Sequence, residues 1–498
     1  MTVTILDWIA LLPALIVMFT GFLVVGVDLF APPRMHKGQL SVLSGAGLLT
    51  SAWLLIDRLR VGKKALHAFG GSIVLDDMAC FLSLAVIAAT VLLVVSAEVD
   101  TRRRHISFGE WYGLLLLSAS GMMLLVASND FLTIFLNLEI VSLALYVLTG
   151  ITRRNPRSNE AAVKYLVTGA FATALLLMGV AFLYGATGTI SLTGIGRWLS
   201  AGNDSPLLIT GFGLVLVGFA FKIGAAPFHM WVPDVYEGAP TTTTAFMSVT
   251  VKAAGVGALI RILLVAAPSR AELWSDLLWW MAVLTMLLGN LLALQQRSVK
   301  RMLAFSSVAH TGYVLMALAT LVSTDGVLRV QGASSALFYL MSYTFMTLGA
   351  FVVLVYLGHE VPRKDGAIEW QDAETFEDLA GVARRRPWAA FAMTIFVISL
   401  GGIPPTAGFV GKFSLFAAAV KQGHVTIALI GVTASLISLY YYLRVVVAMY
   451  MEAPVAEDEK PHRAVGAVVA LAAIATLLIG FLPGTLLDWA NRSIDLLK

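Results

Sequence analysis

The sequence predicts an all-α protein that crosses a membrane about 14 times. Hydrophobic residues make up 58% of its 498 residues and charged residues only 13%, whereas ordinary soluble domains are roughly 45–50% apolar and about 25% charged. The mean hydropathy is +0.85. Because so few charges cannot cover a soluble protein of this size, we expect most of the chain to contact lipid.

Charge and cysteine content exclude several functional classes. The formal net charge is +4 and the pI is near 9.0, but no basic tract is interleaved with aromatic residues, so we exclude a nucleic-acid partner. The single cysteine, Cys80, excludes an intramolecular disulfide and a cysteine-ligated iron–sulfur cluster. The sequence has no Rossmann fingerprint, Walker motif or HExxH motif. We therefore expect its chemistry to take place inside the bilayer.

The apolar runs define the membrane spans. Crossing a hydrocarbon core of about 30 Å takes about 20 apolar residues. The first run has no positively charged segment before it, so we expect a permanent span and not a cleaved signal peptide. The twelfth run is too long for one crossing and is expected to be tilted or broken. The fourteen predicted spans are 8–29, 38–57, 77–97, 110–128, 131–150, 160–186, 206–228, 241–267, 274–294, 302–322, 332–357, 388–420, 424–450 and 464–487.

Loop charges predict the orientation. Loops that follow odd-numbered spans hold eighteen Lys and Arg residues, and the opposite loops and ends hold ten. Because basic loops stay in the cytoplasm, both termini are predicted to be periplasmic, in the inner membrane of a bacterium. The longest loop, 358–387, has room for an amphipathic surface helix near the sequence TFEDLAGVARRR.

Six lysine and arginine residues and one mid-span acid fall inside the predicted spans. Placing a charge at the bilayer centre costs at least about 2.5–3.5 kcal/mol, so such residues are candidates for function. Arg261 and Arg444 lie near span ends and are expected to extend to the headgroups. Lys164 is only slightly deeper, and its sequence position fits a structural role and a functional role equally. The other four are Glu139, Lys222, Lys252 and Lys412.

The deeper charges cannot all neutralise one another. Glu139 with one lysine fits a purely structural ion pair, but the buried lysines outnumber this carboxylate. At least one lysine is therefore expected to lie in a hydrated cavity or to be neutral, which is the state of a proton carrier. His310 adds a group that titrates near neutrality. Its alternative role is that of a hydrogen-bonded packing residue.

Two spans contain helix-breaking sequences. Span seven ends in FKIGAAPFHMWVPD, and span twelve contains SLGGIPPTAGFVGKF. Broken helices are tolerated in membranes only where they line a protein cavity. Because the breaks are five spans apart, spans 4–8 and 9–13 are expected to form inverted five-helix repeats. The predicted division is 1–107, an N-terminal three-helix segment; 108–268 and 269–452, the two repeats; and 453–498, the last helix.

Three stretches carry a resemblance to a known family. They are FKIGAAPFHMWVPDVYEGAPTTTTAF (221–246), NEAAVKYLVTGAFATALLLMGVAFLYG (159–185) and FEDLAGVARRRPWAAFAMTIFVISLGGIPPTAGFVGKFSLF (376–416). They resemble the antiporter-like, proton-translocating membrane subunits of respiratory complex I and of Mrp antiporters. Within this family, Lys412 and the short C-terminal end resemble the N type. The M type has a glutamate at the position of Lys412, and the L type has a long C-terminal amphipathic helix.

The resemblance implies a site and a set of partners. It implies proton-transfer roles for Glu139, Lys222, Lys252 and Lys412, and it matches Lys164 to a further family lysine. It implies no cofactor in this chain, with FMN, iron–sulfur clusters and quinone in partner subunits, which include sister antiporter-like subunits.

The expected mechanism is a proton relay. Glu139 would hold Lys222 protonated, and the proton would pass to Lys252 and through His310 to Lys412. The alternative functions are an Mrp-type cation/proton antiporter subunit and a purely structural membrane subunit.

Overall fold

A computed structural model describes residues 4–30, 38–62, 64–103, 106, 108–362, 368–454 and 462–495. It confirms the predicted all-α membrane fold. Within these ranges, thirteen helices are long and apolar enough to span a membrane. The twelfth predicted span is present as two shorter helices, so each predicted span has a helical counterpart.

The helices follow the predicted order. The N-terminal half contains α1 Ile5–Phe30, α2 Gly38–Val61, α3 Asp77–Arg103, α4 Phe108–Ala127, α5 Phe131–Thr149, α6 Pro156–Thr187, α7 Leu192–Ser200, α8 Pro206–Ile223, α9 Trp231–Gly238, α10 Thr241–Phe246 and α11 Lys252–Arg261. The C-terminal half contains α12 Ser275–Leu294, α13 Val299–Ala319, α14 Gln331–Tyr356, α15 Phe376–Leu379, α16 Val382–Arg385, α17 Pro387–Gly401, α18 Ala407–Lys421, α19 Val425–Met451, α20 Arg463–Phe481 and α21 Gly484–Asp495.

Short irregular elements join the helices. π-Helical turns cover Met247–Val251 and Ile262–Ala266, so the eighth span is a nearly continuous helix from α10 to the second turn. Two antiparallel hairpins lie outside the helices. They pair β1 Leu66–Ala68 with β2 Ile73–Leu75, and β3 His359–Pro362 with β4 Ile368–Gln371. The predicted orientation depends partly on basic residues outside the described ranges, namely Arg34, Lys37, Lys63, Arg104, Arg363, Lys364, Lys460 and Lys498.

The core of the bundle is formed by helices that are buried on all sides. α13 is buried over its whole membrane-spanning window, and α14 and the eighth span are 94% buried. Only 28–39% of the membrane-spanning window is buried in each of the peripheral helices, which are α1, α2, α6, α19 and α20. A helix that is hydrophobic all round belongs in the interior. Polar residues on α13 are therefore surrounded by protein and not by lipid.

The long loop that begins at residue 358 differs from the predicted surface helix. Its described part contains the β3–β4 hairpin and two single-turn helices, α15 and α16. Gly381 separates these helices with a φ of 65°, a left-handed conformation that glycine adopts without a steric penalty. The segment TFEDLAGVARRR is therefore helical as two single turns, which this glycine separates. We call residues 358–387 the strap.

Both helix breaks predicted from proline and glycine are present. α8 ends at Gly224 with φ 71°, and α17 ends at Gly402 with φ 82°. The backbone groups freed at the breaks are bonded by side chains. Ala226 N–H donates to Thr285 Oγ1 at 2.9 Å, and Gly408 N–H donates to Ser399 Oγ at 3.0 Å. These backbone groups at the breaks therefore have hydrogen-bond partners inside the protein, as a bilayer requires.

Arg261 does not extend to the headgroups, so that expectation was wrong. Its side chain is 1% exposed and forms two bonds with Asp76, at 2.8 and 3.0 Å. It also donates to the carbonyl of Val126 at 3.0 Å. The partner carboxylate comes from the start of α3, which is distant in sequence. Arg444 is half-buried, with its guanidinium 3.9 Å from the centroid of the Phe376 ring.

We expect Asp76→Asn to destabilise the protein strongly. The amide can still accept the Ala79 N–H bond that Asp76 accepts at 2.9 Å, but Arg261 would be left buried without a counter-charge, at a cost of about 3–5 kcal/mol. The control is Asp325→Asn, which breaks the exposed Arg329–Asp325 pair and should cost less than about 1 kcal/mol. Thermal unfolding in detergent measures both. Equal melting temperatures for the two variants would contradict this assignment.

Candidate proton-transfer site

Lys222 lies two residues before the break in the seventh span. Its side chain is 5% exposed, and its Nζ donates to Ser142 Oγ on α5 at 2.6 Å. The last carbonyl of α8, that of Ile223, accepts a bond of 2.9 Å from Thr311 Oγ1 on α13. The helix break thus places the amine beside a neutral hydroxyl, close to the buried helix α13.

Glu139 does not form the direct ion pair expected with Lys222. Its side chain is half-buried, and no Glu139–Lys222 contact within 4 Å occurs among the ion pairs of the described residues. Ser142, one turn further along α5, occupies the position next to the amine. Glu139 lies one turn before Ser142 on α5, so an effect of its charge on Lys222 would act through space and not through a direct ion pair.

Lys252 begins α11 directly after the first π-helical turn. It is 4% exposed, and its Nζ donates to both the carbonyl and the hydroxyl oxygen of Ser307 on α13. The Tyr343 ring lies beside it, with its centroid 5.7 Å from Nζ. π-Helical turns often occur at functional sites, and this turn sets the position at which Lys252 meets α13.

His310 lies one turn beyond Ser307 on α13. It is 2% exposed and is bonded at both ring nitrogens, Nδ1 to the Tyr339 hydroxyl and Nε2 to the Tyr442 hydroxyl at 2.9 Å. A cavity of about 10 Å³ separates it from Lys252. Lys252 and His310 thus line the same small cavity, whose walls are otherwise mostly apolar.

Lys412 lies on α18, beyond the break in the twelfth span. It is 3% exposed, and its Nζ donates to Ser435 Oγ at 2.8 Å and to the Gly401 carbonyl at 3.4 Å. The centroid of the Tyr313 ring is 4.8 Å from Nζ. Tyr313 also packs edge-on against His310, at 5.6 Å between ring centroids. Aromatic contacts therefore bridge His310 and Lys412.

Lys164 lies apart from the buried groups Lys222, Lys252, His310 and Lys412. Its side chain is 44% exposed and makes ion pairs with Glu160 at 2.8 Å and with Asp234 at 2.9 Å. Asp234 also pairs with Arg301 at 3.0 Å. The structure thus places Lys164 in a partly exposed ion-pair network with Glu160, Asp234 and Arg301.

The hydroxyl partners of Lys222, Lys252, His310 and Lys412 are not evident from the sequence. Serine and tyrosine occur throughout apolar helices, so these residues carry no recognisable motif. Lys300, which precedes the predicted span 302–322, lies in the first turn of α13 and is 1% exposed. Within the described residues, no group of three or more His, Cys, Asp or Glu side chains is arranged to hold a metal ion. The missed partners are Ser142, Ser307, Tyr339, Tyr442 and Ser435.

Two comparisons place the chain among solved structures. A subunit of respiratory complex I from Thermus thermophilus is 33% identical, with a TM-score of 0.78 that covers 96% of this chain and 98% of that one. A subunit of the Mrp complex from Dietzia is 21% identical, with a TM-score of 0.85 that covers 99% of this chain and 98% of that one. At that identity, the Mrp likeness concerns the fold alone.

Sequence comparisons are more specific. Residues 128–438 match the family described as NADH:quinone oxidoreductase/Mrp antiporter, transmembrane. A protein of Trichlorobacter lovleyi named NADH-quinone oxidoreductase subunit N is 43% identical over 98% of this chain and 97% of its own length. A protein of the same name from Myxococcus xanthus is 39% identical over 98% of this chain and 97% of its own length. The chain therefore belongs to the subunit N family of antiporter-like membrane proteins.

Proposed function

We propose that this chain is the proton-translocating subunit N of an NADH–quinone oxidoreductase. In this assignment it moves protons across the membrane while partner subunits pass electrons from NADH to quinone. The partners include the other membrane subunits, among them sister antiporter-like subunits. FMN, the iron–sulfur clusters and the quinone site are assigned to partner subunits. The single cysteine of this chain supports that division, because it cannot ligate a cluster by itself.

One observation carries the proposal. Lys222, Lys252 and Lys412 are all buried, and their hydrogen bonds go to serine hydroxyls and backbone carbonyls. None of them takes part in an ion pair within 4 Å among the described residues. A neutral acceptor stabilises an ammonium less than a carboxylate does. Amines in this setting are suited to gaining and losing protons.

The relay follows the order of the groups around α13. Lys222 receives a proton while Glu139 favours its charged form through space. When this interaction weakens, the proton passes to Lys252 and then, through a water molecule and His310, to Lys412. Lys252 bonds to Ser307 of α13, His310 lies on α13, and Lys412 packs against Tyr313 of α13. A purely structural subunit would not need three buried amines without counter-charges.

The sidedness of the path follows from the loop charges. We infer that both termini are periplasmic, because eighteen loop Lys and Arg residues lie on one side and ten on the other. Lys412 on α18, beyond the second break, would then serve release to the periplasm. The two inverted repeats, spans 4–8 and 9–13, would relate the break near Lys222 to the break near Lys412.

A C-terminal tag should react with an impermeant reagent in intact spheroplasts. The reason is the excess of basic residues on the opposite loops. The control is the same tag on a subunit with a cytoplasmic C-terminus. Labelling of the tagged chain only in inside-out vesicles would show that the orientation is reversed.

Ser142→Ala should slow proton pumping by about tenfold. The change removes the hydroxyl bonded to Lys222, and one lost partner for a buried polar group costs about 1–3 kcal/mol. Ser44→Ala is the matched control, because Ser44 is equally buried and its hydroxyl donates only to the Leu40 carbonyl. NADH–quinone turnover and proton uptake in proteoliposomes measure both. Equal pumping by the two variants would remove Ser142 from the path.

Lys412→Arg should assemble normally yet pump nearly as poorly as Lys412→Ala. Guanidinium keeps the positive charge but does not release its proton at accessible pH, so an obligatory deprotonation would be blocked. Lys421→Arg is the control, because Lys421 is exposed at the end of the same helix. Blue-native gels establish assembly, and proteoliposome assays measure pumping. Pumping near the unmodified level by Lys412→Arg would refute proton release at this residue.

A further inference from the structure

A buried amide lies in the second half of the ninth span. Asn290 of α12 is 0% exposed and lies in the otherwise apolar sequence LLGNLLAL. Burying an amide is costly unless its polar atoms are bonded. Its Nδ2 donates to the Met286 carbonyl of its own helix at 2.7 Å and to the Tyr313 hydroxyl of α13 at 3.2 Å. Its Oδ1 accepts a bond of 3.0 Å from the Tyr441 hydroxyl of α19. Asn290 therefore links three helices.

Two glycines bring Asn290 and Tyr313 together. Gly289 directly precedes Asn290, and Gly312 directly precedes Tyr313. A Cβ at position 289 would lie 2.5 Å from the Ala309 amide nitrogen of α13, and one at position 312 would lie 2.6 Å from a backbone nitrogen of α12. Small residues let membrane helices approach each other closely. The close approach of α12 and α13 at these glycines places the next residue of each helix within hydrogen-bond distance of the other.

The ring of Tyr313 contacts two groups of the proposed relay. Tyr313 is 1% exposed. Lys412 Nζ lies over its ring, 4.8 Å from the centroid, and the centroid of the His310 ring is 5.6 Å away. The main chain of α13 holds one end of the Tyr313 side chain, and the bond from Asn290 holds the hydroxyl at the other end. The ring is thereby fixed with its face toward the amine.

An aromatic face stabilises a cation without accepting its proton. The negative face of the ring attracts an ammonium that lies within about 6 Å of the centroid, and the attraction is larger where water is excluded. The hydrogen bonds of Lys412 go to the Ser435 hydroxyl and the Gly401 carbonyl. Among the described residues it forms no ion pair within 4 Å. The Tyr313 ring therefore stabilises the charge of Lys412 in a place where no carboxylate does so.

We propose that the Tyr313 ring stabilises the protonated form of Lys412, and that Asn290 is the positioning residue that holds this ring over the amine. This inference rests on the proposed function, because it concerns Lys412 as a proton carrier. The ring attracts the ammonium and not the neutral amine, so it determines how readily Lys412 takes up a proton. Tyr441 supports the arrangement by donating to Asn290. Weakening the ring face should lower pumping more than releasing the hydroxyl from Asn290.

The ring is tested with fluorinated phenylalanines at position 313. Each added fluorine weakens the negative face of a ring, while its size and shape change little. Starting from Tyr313→Phe, proton pumping by the whole complex in proteoliposomes should fall stepwise with one, two and three fluorines, by about tenfold across the series. A ring that serves only to fill space would give equal pumping throughout, and that result would overturn the proposal.

The control for the ring is the same series at Phe416. This residue packs edge-on against Tyr313, with 6.0 Å between ring centroids. Among the described residues it has no lysine or arginine over its ring. Pumping should therefore not change with the number of fluorines at Phe416. An equal stepwise loss at both positions would assign the effect to packing and overturn the proposal.

The positioning role of Asn290 is tested with a double-mutant cycle. Asn290→Leu and Tyr313→Phe each remove one partner of the same bond, and each should lower pumping by about threefold. If Asn290 acts through the Tyr313 hydroxyl, the double variant should also lose about threefold and not about ninefold. The matched control is Asn137→Leu, because Asn137 is a buried amide that bonds to Ser128 and Thr133 instead. Its effect should add to that of Tyr313→Phe. Blue-native gels establish assembly, and additive losses for Asn290→Leu would overturn its positioning role.

Failure of this inference is distinguishable from failure of the proposed function. Normal pumping by Lys412→Arg would overturn proton release at Lys412. Loss of pumping by Lys412→Arg, together with equal pumping across the fluorinated series at position 313, would leave the proposed function intact and overturn only the role of the Tyr313 ring.

Discussion

The fold depends on one constraint, which is that backbone groups freed inside a bilayer must find partners within the protein. At the first break, Thr285 of α12 and Thr311 of α13 bond the backbone of Ala226 and Ile223. These threonines come from the second predicted repeat, so side chains of the second repeat stabilise the helix break in the first. Lys222, next to this break, is thereby fixed beside α13.

The buried charges of this chain differ in their partners more than in their depth. Arg261 and Lys300 are as deeply buried as Lys252, but each faces a carboxylate. Neutralising one member of such a pair leaves the other unpaired in a medium of low dielectric, which is costly. An amine that faces only hydroxyl and carbonyl oxygens changes its charge without leaving such a partner behind. Lys222, Lys252 and Lys412 have this property.

Sequence patterns predicted the spans, both breaks and the buried positions of Lys222, Lys252, His310 and Lys412, because a charge within a long apolar run is conspicuous. They failed for Arg261, whose partner Asp76 is 185 residues away and could not be inferred without an alignment. They also failed for Ser142 and the other hydroxyls. A serine within an apolar helix usually bonds its own backbone, so only three-dimensional contacts show which serines meet an amine.

The proposed relay has no built-in direction. Each amine faces neutral oxygens, and tyrosine hydroxyls, which both donate and accept, flank His310. Such a path conducts protons equally well both ways, so a group outside it must change charge in each cycle. Glu139 on α5 lies outside this path, because it makes no ion pair with Lys222 within 4 Å among the described residues. The proposed relay therefore needs a change of charge outside Lys222, Lys252, His310 and Lys412 to give pumping a direction.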